Sequence, residues 1–228
     1  MNNIPQRLSK VRERIGALAE KYGRKPDSIT LLAVSKAQPA AAVRTAAALR
    51  QADFGENYTQ EALQKMGNLT DLPLIWHFIG PVQSNKTRDI AGRFAWVHSL
   101  DRLKIAQRLD AARPDRLDPL NVCIQVNISG ESTKAGINPD AVPAFARDLA
   151  GFPRLRLRGL MAMPAPSADL EQQRRPFREL RALLKELKND GIEADTLSMG
   201  TSGDLEAAIA EGATIVRVGT AIFGPRAK

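Results

Sequence analysis

From Ile29 onward, short apolar runs rich in branched residues alternate with stretches in which apolar residues recur every three or four positions. The first pattern reads as buried β-strands and the second as amphipathic helices. Their alternation predicts βα units around a parallel sheet. Eight runs are present: Thr30 to Ser35, Ala52 to Gly55, Leu74 to Ile79, Ala95 to Ser99, Leu120 to Ile128, Leu155 to Met161, Thr196 to Met199 and Ile215 to Gly219. Helices are expected to begin near Pro39, Thr59, Ser84, Asp101, Pro139, Asp169 and Gly203. Eight strands point to closure into a (β/α)8 TIM barrel. A further helix, from about Pro5 to Tyr22, carries Leu8, Val11, Ile15, Leu18 and Ala19 on one face, so it is expected to pack on the outside or base of the barrel. The rival is an open, doubly wound sheet, but no Gly-x-Gly-x-x-Gly follows the first run.

No repeat of about 20 to 50 residues interrupts the pattern. The segments richest in proline, Pro114 to Pro119 and Pro164 to Pro166, read as loops inside it, so residues 1–228 are expected to form one domain. With 43% hydrophobic and 25% charged residues, the chain has the composition of a packed globular protein. The formal net charge of +8 would suit a nucleic-acid binder, but in stretches such as Arg174 to Lys188 the arginines are interspersed with acids rather than clustered. Attraction of a small anion is the milder consequence. Cys123, the only cysteine, lies in an apolar run, which excludes an intramolecular disulfide and a cysteine-based metal site. The amino terminus lacks the apolar core of a signal peptide, and no stretch approaches the roughly 18 apolar residues of a membrane span. We therefore expect a cytoplasmic protein with no nucleic-acid or membrane partner; a monomer is expected as well.

Barrels of this type carry their chemistry at the carboxyl ends of the strands and often hold phosphate on the loops after strands 7 and 8. The first run ends in Ser35-Lys36, the second in Gly55-Glu56-Asn57-Tyr58, and the third in His77-Phe78-Ile79-Gly80-Pro81. After the seventh comes Ser198-Met199-Gly200-Thr201-Ser202-Gly203-Asp204, and the eighth ends in Arg217-Val218-Gly219-Thr220. Thr201, Ser202 and Gly203 precede a helix expected from Leu205 to Glu211, which would aim backbone N–H groups and hydroxyls at an anion. Simple N-capping by Ser202 or Asp204 is the competing reading. Lys36 falls at the barrel mouth, where burial would favour the neutral amine that imine formation requires, unless it is a solvated loop residue. Arg217 shares a strand face with Ile215 and Gly219; turned inward, its guanidinium needs an acceptor, which a salt bridge within the barrel could also supply.

Taken together, these blocks resemble the YggS/PROSC family of pyridoxal-phosphate-binding proteins, also called pyridoxal phosphate homeostasis proteins. The segments that carry the likeness are Leu32 to Lys36, Phe54 to Tyr58, His77 to Lys86, Ser132 to Gly136, Gly159 to Pro164 and Val216 to Gly224, in order along nearly the whole chain. The resemblance implies a barrel like the amino-terminal domain of alanine racemase, with pyridoxal 5'-phosphate (PLP) held as a Schiff base on Lys36. It implies Arg217 beside the pyridine nitrogen, Ser202, Gly219 and Thr220 around the phosphate, and Asn57 close to the ring. Ser198 falls in the same cofactor-binding set, and His77 and Lys134 fall at the site rim. Two positions depart from the family pattern. Thr201 stands where a second methionine is common and would add a hydroxyl beside the phosphate, and Gln38 stands where lysine is frequent.

What the resemblance implies is a protein that carries or buffers PLP, with PLP-dependent apoenzymes as partners, rather than an enzyme. A PLP-dependent amino-acid racemase is the alternative. An arginine partner leaves the pyridine nitrogen unprotonated and weakens the ring as an electron sink, although alanine racemase also uses arginine. Related racemases draw a second acid/base, a tyrosine, from a separate β domain. This chain has no residues left for one and only two tyrosines, Tyr22 and Tyr58.

Overall fold

The computed structural model describes residues 3–130 and 135–225. Eight strands pair in sequence order, every pair parallel, and β8 returns to β1 to close the barrel. They are β1 Thr30–Val34, β2 Asp53–Glu56, β3 Ile75–Phe78, β4 Trp96–Leu100, β5 Leu120–Gln125, β6 Leu155–Met161, β7 Thr196–Ser198 and β8 Ile215–Val218. Each matches one of the eight apolar runs. The largest difference is at β5, whose run continues to Ile128. Gln125 pairs with Met161, the last residue of β6, so beyond it Val126 makes only an isolated bridge to Ile137.

The helices are α1 Ile4–Lys21, α2 Ala40–Ala47, α3 Thr59–Gly67, α4 Thr87–Arg93, α5 Leu103–Ala112, α6 Val142–Leu149, α7 Leu170–Asn189, α8 Leu205–Ala210 and α9 Thr220–Phe223. The starts expected near Ser84 and Pro139 are single 3-10 turns, Ser84–Lys86 and Pro139–Ala141, that lead into α4 and α6. Helix α1 buries Ile4, Leu8, Val11, Ile15 and Ala19 against α2, α8 and α9, so it covers the outside of the seam where β8 meets β1. Burying a side chain of the Leu, Ile or Val type contributes about 1.5–3 kcal/mol, so this stripe is a principal term in docking the helix.

Alternation along the strands sorts the side chains. Phe54, Trp76 and Phe78 face the helices, where Phe54 packs on Trp76 and Phe78 on Phe94. The intervening positions fill the barrel. Among them are Asp53, His77, Trp96, His98, Ser198 and Arg217, an unusually polar set for a barrel interior dominated elsewhere by branched apolar residues. Among the described residues, no helix is long and apolar enough to cross a membrane, and no cluster of His, Cys, Asp and Glu could hold a metal ion.

Candidate functional site

The carboxyl ends of the strands bring together most of the positions singled out in the sequence. Val34 of β1 pairs with Gly55 of β2, so Lys36 and Asn57, each two residues further on, leave the barrel at the same level. On the other side β8 runs beside β1, and a Cβ added at Gly219 would lie 3.1 Å from the Val34 carbonyl oxygen. The β8 end therefore passes tightly over the turn that carries Lys36. A Cβ on Gly80 would lie 2.1 Å from the Asn57 carbonyl oxygen, so only glycine lets the β3 end close against Asn57. The Asn57 Oδ1 atom is buried with no hydrogen-bond partner among the described residues.

Arg217 turns inward and is buried. Nη1 donates to the Ser198 carbonyl oxygen (2.6 Å) and to Ser198 Oγ (2.8 Å), and Nη2 donates to the Ala162 carbonyl oxygen (2.9 Å). A guanidinium has five N–H donors. These three bonds leave one on Nε and one on Nη2. No carboxylate among the described residues makes a salt bridge with it, so the intrabarrel ion pair considered from the sequence does not form. Burial lowers its pKa to about 10, which still leaves it a cation at neutral pH.

Behind Arg217 the polar interior forms one chain of hydrogen bonds. Ser198 Oγ lies 2.7 Å from His98 Nδ1, His98 Nε2 lies 2.9 Å from His77 Nδ1, and His77 Nε2 lies 3.0 Å from Asp53 Oδ1. The partners fix the tautomers. His77 donates from Nε2 to the Asp53 carboxylate and accepts at Nδ1 from His98 Nε2–H, and His98 Nδ1 accepts the Ser198 hydroxyl proton. Every link then runs in one direction, from the Arg217 cation to the Asp53 anion at the start of β2. Burial lowers the His77 pKa, partly offset by Asp53. Burial takes His98 well below the usual histidine range, with His77 and Arg217 pushing the same way. Both rings are therefore neutral at neutral pH, as the chain of donors and acceptors requires.

His77, expected at the rim, thus lies inside the barrel. Strand β3 continues to Phe78, and alternation turns His77 inward, stacked on Trp96. Ser198 is likewise fully buried and occupied with Arg217 and His98. Lys134 lies outside the described residues. Gln38 is buried and donates its backbone N–H to the Ser35 carbonyl oxygen at the end of the Lys36 turn.

Between β7 and α8, Asp204 Oδ1 accepts from both the Thr201 N–H (2.5 Å) and the Thr201 hydroxyl (2.8 Å). The Thr201 hydroxyl expected beside an anion is therefore committed to a carboxylate within its own loop. Helix α8 is also only six residues long. Ser202 and Thr220 remain at the mouth, partly and largely exposed respectively. A cavity of about 580 Å³ opens beside the β7–α8 loop, lined by Thr201, Gly203, Asp204, Ala162, Met163 and Gln125 among others, with Arg217 contributing to its wall; of the described residues, Lys36, Asn57, Ser202, Gly219 and Thr220 do not line it.

Asp204, considered from the sequence as an N-cap, stands at that position of α8 but spends its side chain on Thr201. Sequence reasoning missed Asp53 and His98, and also the roles of Glu56, Glu61 and Lys65. The last three hold the Lys36 turn from outside the barrel. Lys65 Nζ reaches Glu56 Oε1 at 2.7 Å and Glu61 Oε1 at 2.6 Å, all in the layer between the sheet and α3. Burial raises the Glu56 pKa against the opposing effects of Lys65 and Ser35. A signal for the histidines was available: the chain has only two, and both fall inside predicted strands. The charges of α3 carried none, because a Glu and a Lys four residues apart read as a solvated pair.

A closed parallel barrel with polar groups gathered at its carboxyl mouth defines a (β/α)8-barrel protein of the ligand-binding or catalytic kind. The model of the alanine racemase N-terminal domain family matches residues 7–227, and the chain belongs to that family. The "Pyridoxal phosphate homeostasis protein" of Pseudomonas aeruginosa is 59% identical over 226 residues, covering 99% of this chain and 97% of that protein. The structure of PipY from Synechococcus elongatus with PLP bound superposes with a TM-score of 0.85 at 37% identity, covering 97% of this chain and 100% of that one. Alanine racemase from Clostridium difficile shares the fold, with a TM-score of 0.75 at 18% identity; the match takes in 99% of this chain but 57% of the racemase.

Proposed function

We propose that this chain binds PLP at the barrel mouth, captures it covalently through Lys36, and serves to carry or buffer the cofactor inside the cell. The observation that carries the reading is Arg217. It is a buried cation held by neutral acceptors, with N–H donors still to use, in the wall of a mouth cavity. A pyridine nitrogen is an acceptor that such a group fits, and a permanently charged donor keeps that nitrogen unprotonated. Asn57 Oδ1, buried and without a hydrogen-bond partner among the described residues, is a further polar group at the end of the strand next to that of Lys36. Likeness to relatives named for PLP homeostasis, and to a structure holding PLP, supports the same assignment.

PLP supplies an aldehyde, which an unprotonated lysine amine can capture with loss of water. The chain's own residues would do the rest. Lys36 provides the amine from the end of β1, and Arg217 orients the ring. The hydroxyls of Ser202 and Thr220, with the backbone around Gly219, hold the phosphate. Thr201 supports that loop through Asp204 instead of touching the anion. Ser198 and His77 act from beneath, Ser198 directly on Arg217 and His77 through His98.

A carrier is favoured over a racemase because two-sided proton transfer needs a second acid/base within hydrogen-bond reach of the substrate carbon. Tyr22 is engaged with Glu206 on the outside of the barrel, His77 is enclosed in the hydrogen-bond chain, and Tyr58 is 63% exposed at the rim. The deciding experiment adds PLP to the purified apo-protein, reduces it with borohydride and maps the labelled peptide. Label on Lys36, with release of unreduced cofactor to a PLP-dependent apoenzyme, is expected. Label elsewhere, or none, would overturn the assignment.

A further inference from the structure

The turn that presents Lys36 is held by side chains that never enter the barrel mouth. Ser35 Oγ donates to Glu56 Oε1 at 2.6 Å, and the Ser35 carbonyl oxygen accepts from Lys65 Nζ at 2.6 Å as well as from the Gln38 N–H at 3.0 Å. On the other side of Lys36, the Ala37 N–H donates to Glu61 Oε1 at 2.6 Å. Lys65 and Glu61 also bind each other, one turn apart on α3. The Ser35 C=O belongs to the peptide unit before Lys36 and the Ala37 N–H to the unit after it. Fixing the two planes fixes both backbone dihedrals of Lys36. The bond from Gln38 N–H to Ser35 O closes a tight turn in which Ala37 takes φ +57°, a left-handed conformation where such turns favour glycine. A strained residue of this kind persists only where its surroundings over-determine it.

We propose that Glu61 and Lys65 are positioning residues for Lys36, which clamp the peptide groups on either side of it from outside the barrel wall and so set the direction in which its amine enters the mouth. The inference rests on the assignment of Lys36 as the PLP-capturing amine. In that step the Nζ lone pair adds to the aldehyde carbon, the carbonyl oxygen leaves as one water with the two amine protons, and no redox partner is needed. The clamp touches neither the cofactor nor the reacting atoms. It therefore acts on the covalent step and leaves noncovalent affinity alone. Lys65 is buried between Glu56 and Glu61, whereas the Glu61 side chain is 28% exposed, so Glu61 can be removed with water able to replace it.

Glu61→Ala and Glu61→Gln are compared with the parent, and Lys65→Met is added if it folds. Two quantities are read on full-length protein of verified melting behaviour: the rate at which PLP absorbance shifts on mixing, and the affinity for pyridoxine 5'-phosphate, which lacks the aldehyde. Misplacement by about 1 Å can slow a reaction about a hundredfold. Glu61→Ala should therefore slow covalent capture by about tenfold or more, with pyridoxine 5'-phosphate affinity within about twofold. Glu61→Gln, whose amide oxygen can still accept from Ala37, should recover most of the rate. A folded Glu61→Ala protein that captures PLP as fast as the parent would overturn the clamp. If the parent itself captures no PLP, the proposed function fails, and competitive acylation of the apo-protein still decides this inference. Equal labelling of Lys36 in parent and Glu61→Ala refutes the clamp, and altered labelling supports it.

Discussion

His98 Nε2 stands 2.9 Å from His77 Nδ1 in the middle of the barrel, and this contact joins the Asp53 side of the interior to the Arg217 side. Two neutral imidazoles can share one proton between these nitrogens; two imidazolium rings cannot. Because the native pKa of each is depressed, protons refused by the folded barrel are accepted by the unfolded chain once the pH falls below the unfolded histidine value of about 6.5. The unfolded state then binds more protons, and stability must fall with pH. Each histidine contributes a slope of up to about 1.4 kcal/mol per pH unit, continuing downward until its native pKa is reached. Urea unfolding at pH 7.5 and 5.5 should show this loss in the parent, and a His77→Gln/His98→Gln double variant should show much less of it. Equal slopes in the two proteins would mean that the rings are not the acid-sensitive element.

Ser198 joins that pair of rings to Arg217. Ser198→Ala removes the donor to His98 Nδ1 and one acceptor of Arg217, leaving buried polar atoms unsatisfied at about 1–3 kcal/mol. Denaturant unfolding at pH 7.5 should register that loss. A change within about 0.5 kcal/mol, the span of an inconsequential surface substitution, would show that the link contributes nothing.

At the mouth, Ser202→Ala should weaken PLP binding by roughly 1 to 3 kcal/mol, as expected for a lost hydrogen bond to a charged group. Thr201 is tied to Asp204 and is not expected to compensate. A Thr201→Val/Ser202→Ala double variant tests this in equilibrium titrations. If Ser202→Ala binds as tightly as the parent, Ser202 has no place at the phosphate.

Racemisation of alanine should be absent or far below ordinary enzyme turnover of about 1 to 1,000 per second. Incubation with PLP and L-alanine in deuterium oxide, followed by chiral analysis and mass spectrometry, measures inversion and α-proton exchange together. Both occurring at enzymatic rates would replace the carrier with a racemase and require a second acid/base that the mouth as described does not offer.

The order and kind of the elements were legible in the sequence, because the spacing of apolar residues records which side of each segment must leave water. The position of Lys36 after β1 followed from the same periodicity, which also set Arg217 on one strand face with Ile215 and Gly219; that this face is the inward one was decided by closure of the barrel, because all four residues of β8 are buried. Periodicity says nothing about which polar side chains meet. His77 and His98 are 21 residues apart, His98 and Ser198 are 100 apart, and their hydrogen bonds exist only because closure of the barrel aligns inward positions across it. Lys65 reaches the Ser35 carbonyl over 30 residues, and whether its charge meets water or a buried carboxylate depends on how closely α3 packs against β1 and β2. The tertiary structure alone decided that Asp204 would take the Thr201 hydroxyl, since a short polar loop has several partners of nearly equal energy and only the fixed loop ends select one.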